Sequence, residues 1–183
     1  MSRWILFAII FFSFAGQVKG ASELPHEVVA KEITRGGNLH ACSIEFRAIV
    51  RDYPYRSGDL VGVTGSINLF LSGPGKLSTS FKLVANDVMT DGSLQRFKIA
   101  EAGVSDPKSI GSGSAIACED DRHYCAAMDG DAWISILGVL AASKNVVLRY
   151  NRSPGGLDVK FHLAMESHSV MTLLGCAQRL ATQ

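Results

Sequence analysis

From Cys42 onward the chain alternates: Cys42, Ile44, Phe46, Ala48 and Val50 share one parity, with Ser43, Glu45 and Arg47 between them. A period of two marks a half-buried strand, so this segment is predicted to be a strand with Cys42 on its inner face. Asp52 to Asp59 breaks the rhythm with Tyr53, Pro54, Tyr55 and Gly58. Val61, Val63, Ile67, Leu69 and Leu71 then share one parity in a second strand interrupted by Gly62 and Gly65. Ser72-Gly73-Pro74-Gly75 reads as a turn, and Leu77, Thr79, Phe81, Leu83 and Ala85 alternate back as the return arm of a hairpin. Asp91 and Gly92 mark a further turn before a fourth strand around Phe97 and Ile99, and Ser105 to Ser114 is a polar connection.

The period then changes. Trp133, Ile136, Leu137 and Leu140 stand at helical spacing, which predicts a helix over Asp131 to Ala142 with Asp129 or Asp131 capping its first amides. Val146, Leu148 and Tyr150 alternate, Ser153-Pro154-Gly155-Gly156 turns the chain, and Leu157, Val159, Phe161 and Leu163 alternate back, with Asp158, Lys160 and His162 facing outward. A closing helix from about Ser169 to Leu180 places Leu173, Cys176, Ala177 and Leu180 on one face. Before the first strand, Leu24 to Ile33 reads as a short helix, with Pro25 near its first turn and Gly36-Gly37 as its stop. The fold class implied is mainly β: an antiparallel β-sandwich or sheet with a few covering helices, one of them C-terminal.

The first twenty residues do not belong to this pattern. Arg3, the apolar run Trp4 to Gly16, and small residues at Gly20 and Ala21 have the three-part layout of a secretory signal peptide cleaved after Gly20. The apolar run is shorter than the roughly 20 residues that span a bilayer, so no stable membrane span is expected after cleavage. The expected organisation is a signal peptide over 1–20, an N-terminal segment over 21–37 and a single β-rich, disulfide-containing domain over 38–183. Loss of Arg3 and Lys19 takes the 18 basic residues to 16 against 17 acidic ones. Such a balance lacks the basic footprint of a nucleic-acid binder.

An even number of cysteines in an exported domain implies disulfides. Three pairings of Cys42, Cys118, Cys125 and Cys176 exist. The short polar stretch Glu119 to Tyr124 allows Cys118 and Cys125 to meet across a turn, which leaves Cys42, inward on its strand, for Cys176, inward on the last helix. There is no C-x-x-C pair and no histidine spacing of a zinc ribbon, so the cysteines are not read as metal ligands.

Candidate chemistry is sparse. Glu119, Asp120, Asp121, Arg122 and His123, with Asp129 and Asp131 beyond, form the densest polar cluster, but their order is not that of an EF-hand loop. The cluster reads as a solvated turn or a partner-binding surface. His26, His40, His123, His162 and His168 never stand at the i, i+4 spacing of a helical zinc pair. Gly111-Ser112-Gly113-Ser114 lacks the G-x-S-x-G order of a nucleophile elbow, and the glycine-rich turns lack the Gly-Lys-Ser/Thr ending of a P-loop. Tyr53 and Tyr55, rigid amphipathic groups on one loop, are the second candidate contact surface.

Ala117-Cys118, Tyr124-Cys125-Ala126-Ala127, the helix ending at Ala141 to Ser143, the hairpin Val146 to Leu163 and the closing helix with Cys176 together resemble the invasion-associated locus B family of exported proteobacterial proteins. The resemblance covers roughly residues 115 to 180 and rests on spacing; His40-Ala41-Cys42 stands where that family has a tryptophan-cysteine opening. It implies a periplasmic or surface β-rich protein without known catalysis, linked to host association. The expectation is therefore an exported, non-enzymatic binding or accessory protein, periplasmic or secreted, without a cofactor, acting on a protein or envelope component. Two alternatives remain: an envelope hydrolase or hydrolase inhibitor using carboxylates such as Glu45, Asp59 or Glu101, and a small-ligand carrier.

Overall fold

The computed structural model describes residues 26–106, 110, 113–118, 123–142 and 144–183, so the predicted signal peptide, Gly111-Ser112 and Glu119 to Arg122 lie outside the described residues. The alternating segments become three long antiparallel strands, β2 (Asn38–Asp52), β3 (Asp59–Gly73) and β4 (Lys76–Val88), paired in sequence order. β1 (His26–Arg35) adds to the free side of β2. On the far side, β8 (Tyr124–Asp129) pairs with the first half of β4 and β5 (Leu94–Arg96) with its end, and β7 (Ser114–Ile116) closes the order β1-β2-β3-β4-β8-β7. The register aligns one apolar row across the sheet, Ala30, Ile44, Ile67, Phe81 and Ala126, which is why a period-two sequence buries one whole face.

That inner face is covered by α2 (Gly130–Ala141), α3 (Ser167–Ala181) and a second antiparallel sheet in the order β10 (Val159–Leu163), β9 (Val146–Asn151), β6 (Glu101–Asp106). Trp133, Ile136, Leu137 and Leu140 of α2 and Val170, Leu173, Cys176 and Leu180 of α3 are buried against it. Phe46 and Phe161, ring centroids 6.1 Å apart, join the two sheets. The molecule is thus mainly β, antiparallel, with a sandwich-like core and a C-terminal helix, as the alternation predicts. Cys42 bonds to Cys176 and Cys118 to Cys125, with Cα separations of 5.9 and 5.6 Å. The first bond fastens α3 to β2, and the second ties β8 to the chain following β7.

Several expectations are corrected. The helix predicted within Leu24 to Ile33 is, over its described part, the strand β1. β-branched Val28, Val29, Ile33 and Thr34 favour extended backbone, and the open edge of β2 supplies pairing partners that a local reading cannot see. Gly36 and Gly37, read as a helix stop, form the two-residue turn of the β1–β2 hairpin, with φ of 57° and 84° that only glycine adopts readily. The fourth strand is displaced: Leu94–Arg96 is β5, and Phe97, just past it, still donates its amide to the Ala85 carbonyl of β4 at 3.4 Å while its ring packs against Tyr150, centroids 5.9 Å apart. The polar connection from Ser105 begins inside β6, whose Ala102 and Val104 are buried. The cysteine turn is flanked by strands β7 and β8. Leu157 is 70% exposed outside β10, and Asp129 stands at the start of α2 without a side-chain hydrogen bond to it.

Candidate binding face

The other face of the large sheet carries the alternate residues, most of them partly exposed, although Ser43 and Val84 on it are buried. Across its middle, Ser43 Oγ donates to Asn68 Oδ1 at 2.6 Å, and Asn68 Nδ2 donates to Ser66 Oγ at 3.1 Å and Ser80 Oγ at 3.3 Å. Small hydroxyls and one amide thereby form a hydrogen-bonded stripe over β2, β3 and β4. Alongside it opens a cleft of about 690 Å³, lined by Glu27, Val29 and Lys31 of β1, Glu45 and Arg47 of β2, Thr64 and Ser66 of β3, Lys82 and Val84 of β4, and His123. Lys31 Nζ holds Glu45 Oε2 at 2.5 Å, and Arg47 stands directly opposite Glu27 in the β1–β2 register. Both signs of charge therefore line the cleft around the hydroxyls of Thr64 and Ser66 on its floor.

Gly65 positions this floor from below. A Cβ there would stand 2.4 Å from the Lys82 carbonyl oxygen and 2.5 Å from the Phe46 ring, so only glycine lets the ring lie on the strand backbone. The inner aromatic core and the outer cleft consequently meet at one residue of β3, and Phe46 and Gly65 both border the cleft.

A second cluster lies where β2 and β4 end. Arg152, just past β9, donates from Nε to Asp52 Oδ2 at 2.7 Å and from Nη1 to Asp87 Oδ2 at 3.1 Å. Arg56 of α1 (Tyr53–Arg56) reaches the same Asp87 oxygen at 2.8 Å and also holds Asp59. The Arg152 guanidinium lies 3.6 Å above the Phe97 ring centroid and 5.9 Å from that of Tyr55. Burial pushes the Asp87 carboxyl up, but the hydrogen bonds from Arg152 and Arg56 outweigh it and leave the group below the ordinary carboxylate value. Burial first, and the Asp52 charge second, push the neighbouring Tyr150 phenol well above its usual range. Each charge is matched by a partner across an element boundary, so the cluster works as a clasp between the two sheets.

The predicted site residues separate accordingly. Tyr53 is 64% exposed, whereas Tyr55 donates its hydroxyl to the Leu157 carbonyl at 2.7 Å and so docks α1 on the β9–β10 turn. Asp52 Oδ1 accepts from the Tyr55 amide and caps that short turn. His123 lines the cleft, while Glu119, Asp120 and Asp121 lie outside the described residues. Of the carboxylates named for hydrolysis, Glu45 pairs with Lys31, Asp59 with Arg56, and Glu101 accepts from Asn151 Nδ2 at 3.3 Å. Among the described residues, no group of three or more His, Cys, Asp or Glu side chains converges as a metal site requires. Arg47, Ser66, Asn68 and Lys82 were not singled out from the sequence. Their only signal there is outward parity, and what unites them is cross-strand register. No helix among the described residues is long and apolar enough to cross a membrane. Two disulfides indicate an oxidising compartment. Compared with family models, curated proteins and solved structures, the chain matches none.

Proposed function

We propose that this is an exported binding or accessory module, periplasmic or secreted, that holds a polar, elongated envelope component against the outer face of its large sheet. The cleft carries this reading: the hydroxyls of Thr64 and Ser66 lie among Lys31, Arg47, Lys82, Glu27 and Glu45, which puts donors, acceptors and both charges in one groove, and the Asn68–Ser80 stripe continues the polar surface beside it. A chain rich in hydroxyls and bearing carboxylate and ammonium groups, such as a peptide-substituted glycan, matches that lining. Hydrogen bonds of this kind specify orientation and are individually modest, about 1 kcal/mol each, so affinity comes from length of contact. The disulfides support the reading by holding the sheet and α3 as one preformed surface. The resemblance to invasion-associated proteins adds host association as the setting in which such a module works.

The test is a titration of isotope-labelled protein with soluble peptidoglycan fragments and envelope oligosaccharides, followed by amide chemical shifts. Shifts confined to Arg47, Thr64, Ser66, Asn68 and Lys82 are expected, and the pair Asn68→Ala with Lys82→Ala weakens binding roughly tenfold or more. Shifts confined to the Tyr53 loop or to the α2–α3 side refute this face as the binding surface.

A further inference from the structure

Beyond any envelope ligand, we infer that β1 recognises a second copy of the same chain by antiparallel strand pairing centred on Val29. Among the described residues β1 pairs with β2 alone, and its other side is an edge of the large sheet. It is 10 residues long, largely exposed and free of proline. An open groove of about 580 Å³ runs between its first half and the start of α3. Edges of this length are ordinarily blunted by charge. β1 carries Glu27, Lys31 and Glu32, the last paired with Arg179 of α3, and the signs and spacing of Glu27 and Lys31 make the edge complementary to itself.

The geometry selects the register. Two identical strands continuing one sheet are related by a two-fold axis normal to it, so opposite residues share a parity and a face. Centred on Val29, Glu27 stands opposite Lys31 of the second copy, a match that occurs twice, with Val28 opposite Ala30 between them; Glu32, opposite His26, is already paired with Arg179 of α3 and adds nothing to the selection. A shift to Val28 sets Glu27 against valine, a shift to Ala30 sets Lys31 against valine, and a shift to Lys31 sets that lysine against itself. One register alone satisfies both charges. The existing contact of Lys31 with Glu45 does not compete strongly, since both side chains are about half exposed and such pairs contribute little. Glu27, Val29 and Lys31 also border the outer cleft, so the pairing joins the clefts of two copies across its seam.

The experiment is sedimentation equilibrium of the disulfide-intact protein and two single variants, Glu27→Lys and Lys31→Glu, with thermal melts to establish that each variant is folded. Dimerisation is expected for the natural sequence. It weakens roughly tenfold or more in each variant alone, because two attractive cross-strand pairs become repulsive. It returns in an equimolar mixture of the two, where the paired positions of one variant are both basic and those of the other both acidic. As a second readout, Val29→Cys gives a disulfide-linked dimer on oxidation and Arg35→Cys does not. A monomeric natural protein, single variants that dimerise undiminished, or a mixture no better than its components would each overturn the inference.

Discussion

At the scale of the residue, two positions concentrate the physics. Gly65 has no room for a methyl group between the Lys82 carbonyl and the Phe46 ring. Gly65→Ala is expected to cost about 1–3 kcal/mol as overpacking, read as a lower denaturation midpoint at constant m-value, and to disturb the cleft from beneath. Arg152 neutralises a fully buried Asp52 and a nearly buried Asp87. Arg152→Ala leaves the Asp52 carboxylate uncompensated and is expected to cost about 3–5 kcal/mol by urea unfolding. Arg152 lies away from the cleft lining, so its variant tests the scaffold independently of the binding proposal, whereas Gly65→Ala touches both.

Among elements, α3 depends most on a covalent tie. Cys176 faces Cys42 from the middle of the helix, and the bond closes a chain separation of 134 residues. On the loop-entropy account such closure contributes about 5 kcal/mol, against about 2.5 kcal/mol for the short Cys118–Cys125 loop. Replacing both Cys42 and Cys176 by alanine should therefore lower stability about twice as much as replacing Cys118 and Cys125. Amide hydrogen exchange should show α3 opening first in the former variant, since the helix also supplies buried Leu173 and Leu180 to the core. The hairpin β9–β10 is held differently. Arg149 pairs with Asp158 across it, and its turn receives the Tyr55 hydroxyl.

For the whole molecule, the clasp couples the two sheets to pH. The Asp87 carboxyl is held below its ordinary value in the fold, so the unfolded chain binds that proton more tightly. Its contribution is complete above the unfolded carboxylate value and is lost as pH falls through the lower folded one, a window lying below about pH 4. Thermal melts of the natural protein should fall steeply in that window. Those of Arg152→Ala should fall less steeply, because one of the groups that hold Asp87 ionised is gone. The sequence alone determined the alternation in β2, β3, β4, β9 and β10, the two amphipathic helices and the inward direction of Cys42 and Cys176, because side-chain parity and helical spacing are local properties of the chain. Only the tertiary structure decided that Val28 to Thr34 extends along β2, that the Phe97 ring packs on Arg152 and Tyr150, and that Asp52, Asp87 and Arg152 meet. The outer cleft belongs to the same class, since Arg47, Thr64, Ser66 and Lys82 become one surface only when pairing sets their register. Pairing partners far along the chain compete with local propensity, and their energy enters only after the strands are side by side.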